Sequence, residues 1–95
     1  MKVSELLSDR SKWTQEVCAR DKHGDPIDFH DPLACKWCLL GAVYRCYSIE
    51  GGQGAVLGKL QSTINKHYRG RLSIPSINDN FGYEVVMEIV READV

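Results

Sequence analysis

The stretch His30–Tyr47, HDPLACKWCLLGAVYRCY, decides how the rest of the chain is arranged. Asp31 reads as an N-cap and Pro32 as the first helical residue, a position where a missing N–H costs nothing. From Leu33 to Tyr47 only Lys36 and Arg45 are charged. A helix over 31–47 is therefore apolar on nearly every side, which predicts the buried hub of the core, covered by several neighbours. Gly41 gives up about 1 kcal/mol of helix propensity relative to alanine, so another backbone is expected to approach it closely.

On the N-terminal side, Val3, Leu6 and Leu7 have i, i+3, i+4 spacing, enough for a short amphipathic helix with Ser4 as its cap. From Trp13, apolar Trp13, Val17 and Ala19 alternate with polar Thr14, Glu16 and Arg20, and Asp21-Lys22-His23-Gly24 has the chemistry of a type I turn followed by a left-handed glycine. Residues 25–29 are the expected return strand, confined to an edge by Pro26. The resulting small hairpin must lean on the hub helix through Trp13, Val17, Ile27 and Phe29.

On the C-terminal side, Gly51 and Gly52 end the hub, and a helix from about Gln53 presents Val56, Leu57, Leu60, Ile64 and Tyr68 on one face, with Gly70 as its stop. Residues 71–82 read as a loop pinned by Ile74, Ile77 and Phe81, with Asn78-Asp79-Asn80 as a turn. A last helix from about Tyr83 to Ala93 carries Val85, Val86, Ile89, Val90 and Ala93 in a stripe that should pack on the hub. The expected fold is one mainly α (α+β) domain over residues 1–95: a buried central helix, two or three further helices and a small N-terminal β-hairpin. Internal repeats and low-complexity tracts are absent from the sequence.

Composition narrows the function classes. An apolar fraction of 43% with 26% charged residues is that of an ordinary globular domain, and the longest apolar run, Leu39–Tyr44, is far too short for a bilayer. Without the apolar stretch of a secretory signal in MKVSELLSDRSKW, the expected location is the cytoplasm. There the four cysteines are expected as free thiols. Twelve Lys plus Arg against thirteen Asp plus Glu give a net charge of −1, which disfavours nucleic acid as a partner. The nearest basic cluster, Lys66, His67, Arg69 and Arg71, is better explained as complementing a helix dipole.

Cys35-Lys36-Trp37-Cys38 is a C-x-x-C with three readings. A thioredoxin-like pair would need a βαβ setting and a cysteine at a helix N-terminus, and the sequence suggests neither. A zinc site could draw on His23, His30, Cys35 and Cys38, although such pairs normally sit on a knuckle rather than inside an apolar helix. Buried structural thiols are the favoured account. A thiol nucleophile at Cys38, with His30 or His67 as base and Asp31, Asn78 or Asp79 as orienting group, has the right residue types; His30 and Asp79 are the candidates carried forward with it. Placed two turns into the expected helix, Cys38 would gain little from the dipole. His23 is otherwise a solvated turn residue, His30 frames a helix start, and Trp13 and Trp37 are core or interface anchors.

Trp13, Ala19-Arg20-Asp21, Gly24, the run Asp31-Pro32-x-Ala34-x-x-Trp37-Cys38-x-x-Gly41-Ala42, and the later Asn78-Asp79 together resemble a family of small bacterial and phage proteins catalogued as a domain of unknown function. The likeness covers most of residues 13–93; it departs in a shorter first helix and at Ile77, where a tryptophan often precedes N-D. The resemblance implies no activity, but it marks Trp13, Asp21, Asp31, Trp37, Cys38, Asn78 and Asp79 as positions of a shared site. The function expected from size, residues and this setting is a non-enzymatic, cofactor-free accessory domain of phage or mobile-element type. It would bind another protein through Trp13, Asp21, Asp31, Asn78 and Asp79, inhibiting a host defence or regulatory protein. A cysteine-dependent hydrolase or transferase centred on Cys38 and a small zinc-binding module are the alternatives.

Overall fold

In chain order, the computed structural model, which describes residues 1–69 and 72–95, contains α1 (Val3–Leu6), a 3-10 turn (Arg10–Lys12), β1 (Ala19–Arg20), β2 (Lys36–Trp37), α2 (Leu39–Cys46), α3 (Gln53–Tyr68), α4 (Ile74–Asn80) and α5 (Tyr83–Ala93). The expected class holds: a mainly helical domain with a small antiparallel strand pair near its N-terminus. Gly70 and Arg71, the expected helix stop and part of the basic cluster, lie outside the described residues. Among the described residues no helix is long and apolar enough to cross a membrane.

Helix α2 is the centre, packed against α1, α3, α4 and β2, with Leu39, Gly41, Ala42 and Val43 buried. Its start, however, is Leu39 rather than Asp31. Asp31 instead closes a local turn, its Oδ1 accepting from Leu33 N–H at 2.8 Å, and the chain then runs extended through β2. Cys38 takes the N-cap place, with backbone in the extended region and its sulfur accepting from Gly41 N–H at 3.2 Å. An Asp-Pro pair suits a turn as well as a helix start, and pairing of the 36–38 segment with β1 decides between them. Half of the apolar run is strand and loop.

The strand pairing changes in the same way. The Asp21–Gly24 turn forms as expected, with Gly24 N–H on Asp21 O at 3.0 Å and Gly24 at φ +85°. The expected return strand makes an isolated bridge, Arg20 opposite Pro26, through Asp21 N–H on Asp25 O and Ile27 N–H on Ala19 O. The true partner of β1 is β2, with Ala19 opposite Trp37 and Arg20 opposite Lys36. On its other side β2 bridges the entering chain, where Thr14 N–H donates to Trp37 O at 3.0 Å. Trp13, Ile27 and Phe29 do pack against the core, half-buried.

Two further boundaries move. Ser4 lies inside α1, whose N-terminus is held by the Glu5 carboxylate accepting from Lys2 N–H at 2.8 Å. The expected loop over 71–82 contains α4: the Ser73 hydroxyl caps it by accepting from Ser76 N–H, and Pro75 stands in its first turn, where proline is tolerated. Helix α3 buries Val56, Leu60, Thr63 and Ile64, Thr63 satisfying its hydroxyl on Lys59 O. Helix α5 spans the expected residues but packs first on α3, then on α1 and α4, burying Tyr83, Val86, Met87, Ile89 and Val90.

Candidate functional site

Of the positions the resemblance marks, Trp13 and Asp79 bond directly to Asn78 of α4, which is 1% exposed. Its Oδ1 accepts from Trp13 Nε1 at 2.7 Å and from Leu39 N–H at 2.9 Å. Its Nδ2 donates to Thr14 O at 3.0 Å and to Asp79 Oδ1 at 3.1 Å. One amide thus ties the first N–H of α2, the entering 13–14 segment and α4 together, with every hydrogen-bonding position in use. Beside it, Gln15 Nε2 donates to the carbonyls of Asn78, Asp79 and Phe81, satisfying the C-terminal end of α4. The Asp79 carboxylate accepts from Glu16 N–H at 2.9 Å and holds Glu16 at φ +76°, a conformation that non-glycine residues adopt only when the surroundings impose it.

A second polar knot holds the 20–37 segment. Arg20 donates to Thr14 Oγ1, Gln15 O and Gly24 O. Trp37 Nε1 and Arg45 both donate to Phe29 O at 3.1 Å, Arg45 also reaches Asp31 O, and its guanidinium lies 5.5 Å over the Trp37 ring. Gly41 is required because an added Cβ would stand 2.0 Å from Cys18 O, the close backbone that the sequence led us to expect. Asp31, Ala34, Trp37, Cys38, Gly41, Ala42 and Asn78 therefore each have a frame-building contact or burial. Thr14, Gln15, Arg20 and Arg45 are the residues that reading the chain missed. Their partners are mostly main-chain carbonyls of distant segments, which leave no mark in the sequence pattern.

Cys38 and Asp79 line one cleft of about 110 Å³, together with Glu16, Val17, Cys18, Leu40, Pro75 and Asn78. No imidazole lines it among the described residues. His30 packs against Phe29 in a tilted arrangement with ring centroids 4.6 Å apart, and His67 pairs with Glu92 at 2.8 Å. The helix-start amide favours the thiolate of Cys38, but burial outweighs it and pushes the thiol up to about 11. Glu92 also bonds Lys66 at 3.1 Å, so two members of the expected basic cluster face a carboxylate held below its ordinary range, first by His67 and then by Lys66.

A larger open depression of about 450 Å³ lies between the Asp21–His23 turn and the Pro32–Cys35 loop. Asp21, His23 and Cys35 meet there, whereas His30 and Cys38 of the expected zinc set do not line it. Among the described residues no three His, Cys, Asp or Glu side chains are placed to hold a metal ion. Leu33 stands at the depression's edge with 71% of its surface exposed. Fold and site together define a small mainly helical domain whose frame is locked by buried side-chain hydrogen bonds. Comparison with protein-family models, curated proteins and solved structures returns no match.

Proposed function

We propose that the chain is a non-catalytic protein-binding accessory domain whose docking face is the depression between the Asp21–His23 turn and the Pro32–Cys35 loop. The observation that carries the reading is Leu33, a large apolar side chain held out to solvent on a braced loop. Exposed leucines on floppy segments are unremarkable; one fixed beside a concavity is preorganised, so little conformational entropy is lost on binding. Residues 21–31 carry Asp21, Asp25, Asp28 and Asp31 against the single Lys22, so the partner presents an apolar side chain rimmed by basic groups. Of the expected binding set, Asp21 lines the depression and Asp31 immediately precedes its Pro32–Cys35 wall, while Trp13, Asn78 and Asp79 are joined through Asn78 and do not line it. The phage or mobile-element setting, with a host defence or regulatory protein as target, rests on the motif resemblance.

The test is capture from bacterial lysate by the wild-type chain, by Leu33→Asp and by Ile49→Asp, the last altering an exposed apolar residue on another surface. A basic protein retained by wild type and Ile49→Asp, lost with Leu33→Asp and released by salt supports the reading. Equal retention by all three chains, or no specific capture, overturns it.

A further inference from the structure

The β1–β2 register has a chemical consequence one step beyond the strand ends. With Ala19 opposite Trp37 and Arg20 opposite Lys36, the next facing pair is Cys18 and Cys38. Cys38 N–H donates to Cys18 O at 3.1 Å, one of the two bonds of a hydrogen-bonded antiparallel pair. Such pairs have Cα atoms about 5.5 Å apart with side chains on the same face of the ladder, within the span of about 5.5–6 Å that disulfides most often bridge. Both side chains line the same 110 Å³ cleft, so neither is turned into a separate environment. The Cys18 backbone is fixed from behind by Gly41, and Cys38 is fixed as the cap of α2. The two thiols differ in access, Cys18 being exposed and Cys38 buried.

We propose that Cys18 and Cys38 form a redox-active dithiol that a low-molecular-weight disulfide, such as oxidised glutathione, closes into a cross-strand disulfide. In the first step the Cys18 thiolate attacks one sulfur of glutathione disulfide, forming a mixed disulfide at Cys18 and expelling one glutathione thiolate. In the second, Cys38 loses its proton to solvent and attacks Cys18 Sγ, expelling the other glutathione thiolate. Two protein thiols and one glutathione disulfide become one protein disulfide and two molecules of reduced glutathione. Cys18 makes the first attack because it is exposed, whereas Cys38 is buried and burial favours its protonated form. Cys35, the other half of the C-x-x-C, is excluded from the pair: it lines the separate depression with Asp21 and His23 and not the cleft of Cys18 and Cys38. Closure would make a ring of residues 18–38, which contains the whole Leu33 loop, but the assignment stands on the strand register and not on any binding activity.

Each cysteine falls in its own tryptic peptide, WTQEVCAR for Cys18, HGDPIDFHDPLACK for Cys35, WCLLGAVYR for Cys38 and CYSIEGGQGAVLGK for Cys46. The native, reduced protein is treated with oxidised glutathione, remaining thiols are alkylated, and the unreduced digest is mapped by mass spectrometry. The expected product is WTQEVCAR joined to WCLLGAVYR, with Cys35 and Cys46 recovered alkylated, full reversal by dithiothreitol, and a melting temperature raised by roughly 10 °C. In Cys38→Ser, where serine also serves as a helix cap, Cys18 should stop at the glutathione adduct. Recovery of wild-type Cys38 as a free thiol beside glutathionylated Cys18, or a link formed through Cys35 or Cys46, overturns the proposal.

Discussion

At the scale of the residue, Asn78 does what no apolar side chain could. Replacing it with alanine leaves Leu39 N–H without its partner in a buried setting, and Trp13 Nε1 and Thr14 O without theirs in half-buried ones. Each buried unsatisfied group costs about 1–3 kcal/mol, so Asn78→Ala should lose about 3 kcal/mol and lower the melting temperature by more than roughly 10 °C. Asn78→Asp keeps the acceptor but turns a carboxylate oxygen toward Thr14 O and the Asp79 carboxylate. That raises its folded-state pKa above the unfolded value, so the variant should regain stability as pH falls through the folded pKa, a trend that melting curves across acid pH would register. Cys38 gives an alkaline counterpart. Its thiol titrates near 9.0 when free and about 11 when folded, so the unfolded chain releases a proton first and stability falls as pH rises through that window. Cys38→Ser should flatten the fall without abolishing it, since burial raises Cys46 as well.

At the scale of the element, α2 depends on Gly41 more than on its apolar residues. Alanine there gains about 1 kcal/mol of helix propensity but places a methyl 2.0 Å from Cys18 O, and a backbone carbonyl cannot swing aside as a side chain can. Gly41→Ala should therefore destabilise by about 2 kcal/mol or prevent folding, measured by urea unfolding; unchanged stability would remove the close-approach argument. That contact was legible in the sequence, as were the bounds of α5, the α3 face and the Asp21–Gly24 turn, because periodicity and turn chemistry act locally. The start of α2 was not. Asp31-Pro32 satisfies the rules for a helix start and for a turn equally well, and the choice is made by β1 and the residue before it, where the carbonyls of Arg20 and Cys18 take N–H groups from Cys35 and Cys38. Helix α4 was hidden because Asn78, Asp79 and Asn80 favour turns by propensity, whereas the Ser73 cap and Gln15 at the far end supply what the helix termini lack. The Asn78-centred arrangement was half legible: Trp13, Asn78 and Asp79 were among the residues singled out with Asp21 and Asp31, but the bonds that join the three had no signature in the sequence.

At the scale of the whole molecule, the described residues form a body of 36 × 29 × 19 Å with a radius of gyration of 12.3 Å. Its interior is well satisfied: among the described residues, no buried side-chain nitrogen or oxygen lacks a partner. Leu33 lies outside that interior. Leu33→Asp should accordingly leave stability within about 0.5 kcal/mol of wild type, so that any loss of partner binding reports the surface and not the fold; a larger drop in thermal unfolding would assign Leu33 a structural role instead.

The four bonds of Asn78 also bear on the order in which the chain assembles. Three of them join α4 to residues 64–65 positions earlier at Thr14 and Trp13, and 39 positions earlier at Leu39, so those three cannot exist until the long loops have closed. Native contacts that arrive after the rate-limiting barrier restrain escape from the folded basin without hastening entry to it. In stopped-flow chevrons, Asn78→Ala should steepen neither arm, leave refolding nearly as fast as wild type and accelerate unfolding, which would make this amide the latch of the domain.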